Sequence, residues 1–123
     1  STGRFVAVVM PDFCMTESLY FLSKFKFKEI FRRKKMQVVN VDNNWVSTYY
    51  YHPKRFCGYF LNDFNFNKAV GVGLMIPPSY LNNFFRRKVN TLKFLNKLER
   101  SFGNNSFAAS ISDHFLVDLN IKK

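Results

Sequence analysis

The chain has 123 residues, 47% hydrophobic and 19% aromatic, with 19 Lys+Arg against 8 Asp+Glu and a net charge of +11. This is the length of one domain with a normal core, and the composition is too apolar for a disordered segment. Such a charge excess builds a positive field that selects polyanions: nucleic acid, an anionic lipid surface or an acidic protein.

Cys14 and Cys57 make no disulfide framework, and with His52 and His114 at unpaired spacing they make no zinc site. No metal and no cofactor are expected. An intracellular reducing compartment, cytoplasm or nucleus, is the simplest setting for two thiols. The longest apolar run, 69–78, is ten residues with two glycines, too short to span a bilayer. No charged-then-apolar signal opens the chain. Because it begins at Ser1 without Met, residues 1–123 read as one compact domain processed or excised from a longer polypeptide. The frequent Asn, Lys and Phe are what an AT-rich genome encodes, as in many viruses.

Taken in order, Arg4–Met10 is an apolar run ended by Pro11-Asp12 and reads as a buried strand. Asp12 or Thr16 is a candidate cap for a helix to Lys35. Leu19, Leu22 and Ile30 fit a helical face there, although Lys24-Phe25-Lys26-Phe27-Lys28 alternates like a strand. The cations Arg32–Lys35 suit that helix's C-terminus. Met36–Val41, Trp45–His52 and Arg55–Leu61 read as a three-stranded meander. Asp42-Asn43-Asn44 and Pro53-Lys54 supply its turns. Phe64–Asn67 is a short strand or an aromatic loop.

Ala69–Ile76 reads as a strand with Val70, Val72, Leu74 and Ile76 on one face and Gly71, Gly73 and Met75 on the other. The glycine side predicts close approach of another backbone, a helix packed over it. Pro78 suits the first turn of a helix. Leu81, Phe84, Phe85, Val89, Leu92, Leu95 and Phe102 share one face of that helix, and Arg86, Lys93, Lys97 and Arg100 form a separate stripe. Gly103 supplies its C′ position. Ser106–Ile111 and His114–Ile121 read as closing strands, the second half-buried at a sheet edge. The class is α+β: a mostly antiparallel sheet with two helices on one face, in the order β-α-β-β-β-β-α-β-β.

Several chemistries are missing. Gly71-Val72-Gly73 lacks the Gly-Lys-Ser/Thr of a phosphate loop and the third glycine of a dinucleotide fingerprint. Cys14, His114 and Asp118 stand in papain-like chain order, but nothing around Cys14 supports that chemistry in so short a chain. His52 and His114 lack the Ser or Thr two residues on that two-histidine phosphoesterases use; Lys54 and Leu116 stand there. Arg55–Phe60 departs from the RNA-recognition submotif at Phe56 and Cys57.

The positive signal is basic and aromatic. The sequence predicts a binding domain rather than an enzyme, with RNA favoured as partner. Phosphate contacts are expected from Arg32, Arg33, Lys34, Lys35, Lys54, Arg55, Arg86, Lys93, Lys97 and Arg100, and base stacking from Tyr49 and Tyr51. Two alternatives stand beside it. One is a protein-interaction or assembly module that docks through exposed Phe or takes an acidic protein partner. The other is a small metal-independent ribonuclease using His52 or His114.

Overall fold

A computed structural model of the chain describes residues 3–77 and 81–123. The chain is α+β, as its sequence predicts. In chain order the elements are β1 (Arg4–Val9), α1 (Met15–Ser23), β2 (Gln37–Val41), β3 (Asn44–Thr48), α2 (Pro53–Gly58), β4 (Phe64–Val72), α3 (Asn82–Phe85), α4 (Val89–Phe102), α5 (Ser106–Ile111) and β5 (His114–Ile121). Two short 3₁₀ turns, Phe27–Glu29 and Arg32–Lys34, link α1 to β2.

The main sheet is antiparallel with strand order β1-β5-β4, and β2 and β3 pair as a separate hairpin. The period-two alternation of a strand sends Phe5, Ala7 and Val9 to the same face as Phe115, Val117 and Leu119. On that face Ala69, Phe115, Val117 and Leu119 are buried with Cys57 of α2 and Ala109 of α5, and Phe56, Phe60 and Phe64 pack around them. The opposite face is more exposed, although Asp118 is buried on it beneath Arg4 and Asn67. Val6 and Val8 are exposed there, so β1 is half-buried rather than buried.

The strand His114–Ile121 is the centre of the sheet, not an edge, because both β1 and β4 pair with it. Its burial on one face and pairing on both sides explain why Phe115, Val117 and Leu119 are fully inaccessible. β4 begins at Phe64 and ends at Val72, joining the aromatic stretch and the glycine stretch into one strand. Gly73 then turns the chain with φ 73°, a left-handed conformation that favours glycine.

Two segments expected as strands are helices. Arg55–Leu61 lies in and beyond α2, where Pro53 stands in the first turn and the His52 side chain accepts a hydrogen bond from the Lys54 amide. Pro53, Phe56, Cys57 and Phe60 recur at helical spacing and turn inward, so the turn expected at Pro53-Lys54 is instead the start of a helix. Ser106–Ile111 is α5, capped by Asn105, whose Oδ1 accepts from Ala108 N at 2.7 Å. Ala108 and Ala109 are small enough to let α5 lie directly on the sheet. A Cβ on Gly71 would stand 2.8 Å from the Ala108 carbonyl, so the helix expected over the glycine face is α5.

The helix expected over residues 17–35 stops at Ser23, and Cys14 rather than Asp12 or Thr16 occupies its N-cap, its side chain accepting no bond from a first-turn amide. β3 ends at Thr48, leaving Tyr49–Tyr51 outside the strand. The helix expected over 81–102 is broken: Lys88 leaves the helical region (φ −111°, ψ 55°) between α3 and α4. Gly103 closes α4 in a right-handed conformation (φ −69°, ψ −22°) rather than the left-handed C′ expected. Its carbonyl instead accepts from the Gly71 amide at 2.8 Å. The expected helix-start proline, Pro78, lies outside the described residues. No helix among them is long and apolar enough to cross a membrane.

Candidate nucleic-acid interface

Five ion pairs form among the described residues, and their cations are Arg4, Arg32, Arg33 and His114. Three of the 19 Lys and Arg are therefore paired with carboxylates, and the other 16 form no ion pair among the described residues.

The run Arg32–Lys35 divides. Arg33 is buried, donates to Glu17 Oε2 at 2.9 Å and Asp113 Oδ1 at 2.6 Å, and lies 5.3 Å from the Tyr50 ring centre. Arg32 donates from Nε to Glu17 Oε1 at 2.8 Å and stacks 5.1 Å from the Phe21 ring centre. Burial works to raise the pKa of Glu17, but the hydrogen bonds from Arg32 and Arg33 outweigh it and hold the carboxyl below its ordinary range. Burial likewise works against the Arg33 charge, and the bonds to Glu17 and Asp113 override it, raising its pKa. Arg33 is thus an internal strut. Lys34 and Lys35 remain exposed, with Lys34 Nζ 5.2 Å from the Phe31 ring centre.

The segment ahead of this anchor carries exposed aromatic residues. α1 ends in a Schellman motif: Phe25 N donates to Leu22 O and Lys26 N donates to Phe21 O. That motif needs a left-handed residue at its C′ position, usually glycine. Phe25 fills it at φ 56°, at a cost of about 1–2 kcal/mol for a residue with a Cβ. Phe25 is 81% exposed and Phe27 60%. They meet edge-on, with centres 6.4 Å apart. Phe21, Phe25, Phe27, Lys26, Lys28, Glu29 and Arg32 line an open cleft of about 620 Å³. Ser18 Oγ donates to Ile30 O at 3.1 Å, tying the loop back to α1.

A second basic group adjoins. Lys24 at the end of α1 lines a groove with Phe84 and Phe85 of α3. Phe85 also borders Arg86 on its other side. Arg86, Arg87 and Lys88 are exposed there, and Lys88 Nζ stands 4.0 Å from the Phe84 ring centre. Lys93, Lys97 and Arg100 are exposed along α4, whose Leu92, Leu95 and Leu98 are half-buried. Lys54 and Arg55 lie apart from these on α2. Lys54 lines a different cavity with Ser106 and Ser110 of α5, and Arg55 Nε donates to the Tyr59 hydroxyl at 3.2 Å. Tyr49 is 59% exposed, whereas Tyr51 packs on Phe56 and Tyr59 with ring centres 5.9 and 6.3 Å away.

The histidines serve separate structures. His52 caps α2, and His114 Nδ1 lies 2.9 Å from Asp113 Oδ2. Cys14 is buried 3.3 Å from Thr16 Oγ1 and 3.9 Å from Asp113 Oδ1, while Asp118 is held elsewhere by Arg4 and Asn67. The papain-like order of Cys14, His114 and Asp118 is thus not a spatial triad. Among the described residues no three His, Cys, Asp or Glu form a group that could hold a metal ion.

Sequence reasoning read Lys24–Lys28 as an ambiguous secondary-structure signal and passed over it as a site. Alternation of aromatic and cationic residues is also the pattern of a half-buried strand, so the exposure of Phe25 and Phe27 follows from the left-handed turn at Phe25 and not from the alternation. The chain matches no protein-family model and no curated protein.

Proposed function

We propose that this domain binds nucleic acid, RNA foremost, through phosphate contacts centred on the surface shared by the 24–35 segment and α3. The observation that carries the reading is the unpaired state of Lys24, Lys26, Lys28, Lys34, Lys35, Arg86, Arg87 and Lys88, which form no ion pair among the described residues. Exposed rings stand between them. Lysines and arginines without carboxylate partners attract phosphates and displace the counterions condensed on a nucleic acid. Lys93, Lys97 and Arg100 extend the basic surface along α4, and Lys54 and Arg55 form a secondary patch. Both cysteines are free thiols, which fits a reducing intracellular setting.

Fluorescence anisotropy of labelled RNA over a sodium chloride series tests this. Log affinity should fall linearly with log salt, by about 0.7 per phosphate contacted on a single strand. Lys34→Ala with Lys35→Ala should flatten that slope while leaving the far-ultraviolet circular dichroism unchanged. A flat salt response, or no binding at low salt, sinks the reading.

One observation favours a second reading, assembly through the β2–β3 hairpin. Residues 36–53 contain no Lys or Arg, and Val38, Val41 and Trp45 are each more than half exposed. A cation-free apolar hairpin is where a partner protein meets this chain with least repulsion. Concentration-dependent sedimentation that survives nuclease treatment and is abolished by Val41→Lys supports it; a monomer at all concentrations removes self-assembly.

A further inference from the structure

We infer that the Phe25–Phe27 loop is a stacking platform for the unpaired bases of a single-stranded nucleic acid. The inference rests on the phosphate-binding reading above and gives it a strand class.

The argument begins with the local cost. The C′ position of a Schellman motif is met without strain by glycine, and the two hydrogen bonds that close α1 need only backbone atoms. Phe25 brings a Cβ into the left-handed region and recovers little by burial, because the residue is 81% exposed. Neither helix termination nor core packing accounts for a phenylalanine here. Backbone strain held at an exposed aromatic is what a binding site retains.

The surroundings specify the ligand. Phe25 and Phe27 stand at one rim of a cleft whose polar wall carries the lysines Lys26 and Lys28 against one carboxylate, Glu29, with Arg32 held by Glu17 at the base. Bases stack on aromatic rings while cations follow the phosphates, and only unpaired bases can reach a ring. A duplex keeps its bases inside and would meet only the lysines. The platform is held in advance, since Ser18 fixes Ile30 and Glu17 fixes Arg32 at its base. Ordering the loop therefore adds little to the cost of binding.

The same strain supplies a clean test. Phe25→Gly relieves the left-handed residue, so its thermal midpoint should rise above wild type. Its affinity for an unstructured single-stranded RNA should fall about tenfold, the loss of one stacked base. Its affinity for duplex RNA of equal length, and its salt slope, should not change. Phe25→Trp should keep or improve single-strand binding. Unchanged single-strand affinity in Phe25→Gly, or equal losses on single strand and duplex, overturns the platform while leaving phosphate binding intact. If the wild-type protein binds neither RNA, the phosphate-binding reading falls as well.

Discussion

Glu99 Oε1 accepts a hydrogen bond from the Gly73 amide at 2.7 Å, and its Oε2 accepts from the Met75 amide at the same distance. One carboxylate on α4 thus satisfies two donors that the end of β4 leaves without ladder partners. The amides of Gly73 and Met75 therefore already hold an anion, and that anion is part of the chain.

Replacing Glu99 should accordingly cost stability out of proportion to its half-buried position. Glu99→Ala removes two charge-assisted bonds, each worth about 1.5–3 kcal/mol, with water recovering part of the loss. We expect a net destabilisation of about 2–3 kcal/mol on that scale, read as a lowered urea midpoint at constant slope. Glu99→Gln keeps an acceptor oxygen and should lose less. Equal midpoints for Glu99→Ala and wild type would mean that the β4–α4 clamp contributes nothing.

Gly71 tests the other contact of the same strand. A Cβ there would stand 2.8 Å from the Ala108 carbonyl carbon and oxygen and 2.8 Å from Ser112 Oγ. Two of those atoms are backbone and cannot rotate away. Gly71→Ala should push α5 off the sheet and destabilise by about 1–3 kcal/mol, as overpacking does. Gly58, where an added Cβ meets nothing within 4 Å, is the control: Gly58→Ala in α2 should stabilise by about 0.5–1 kcal/mol. A Gly71→Ala protein as stable as wild type would refute the close approach.

These contacts also show what could be read in advance. The α+β class, the strands at Arg4 and His114, the β2–β3 turn at Asp42-Asn43 and the helix over Gly71 follow from alternation and from residues with special backbone freedom. Asp42 and Asn43 both take positive φ, 48° and 66°, as such a turn requires. The misreadings have a common cause. In Arg55–Leu61 and Ser106–Ile111, short runs rich in Phe, Cys and Ala fit either period, and the deciding signals were the caps: Pro53 after His52, and Asn105. The basic clusters were visible in composition, but their division was not. That Arg33 turns inward while Lys34 and Lys35 stay out depends on Glu17 and Asp113, which are distant in sequence.

That buried pairing sets the last expectation, a pH dependence. Glu17 is held below its ordinary pKa in the folded chain, and Asp118 is held low by its hydrogen bonds from Arg4 and Asn67. Depressed carboxyls bind protons more weakly folded than unfolded. Their stabilisation is therefore complete above their unfolded pKa values, about 4.3 for Glu and 3.9 for Asp, and is lost as pH falls through the lower folded values. Stability should be level at neutral pH and decline below about pH 4. Arg33→Met breaks the buried pair and should cost about 3 kcal/mol at pH 7, since it leaves Glu17 largely enclosed with Arg32 alone. In that variant burial is less opposed, the Glu17 pKa rises, and protonation harms the fold less. The stability gap between wild type and Arg33→Met should consequently narrow as pH drops from 7 to 3, measured by urea unfolding at each pH. A gap that stays constant across that range would show that Glu17 and Arg33 are not coupled in the folded protein.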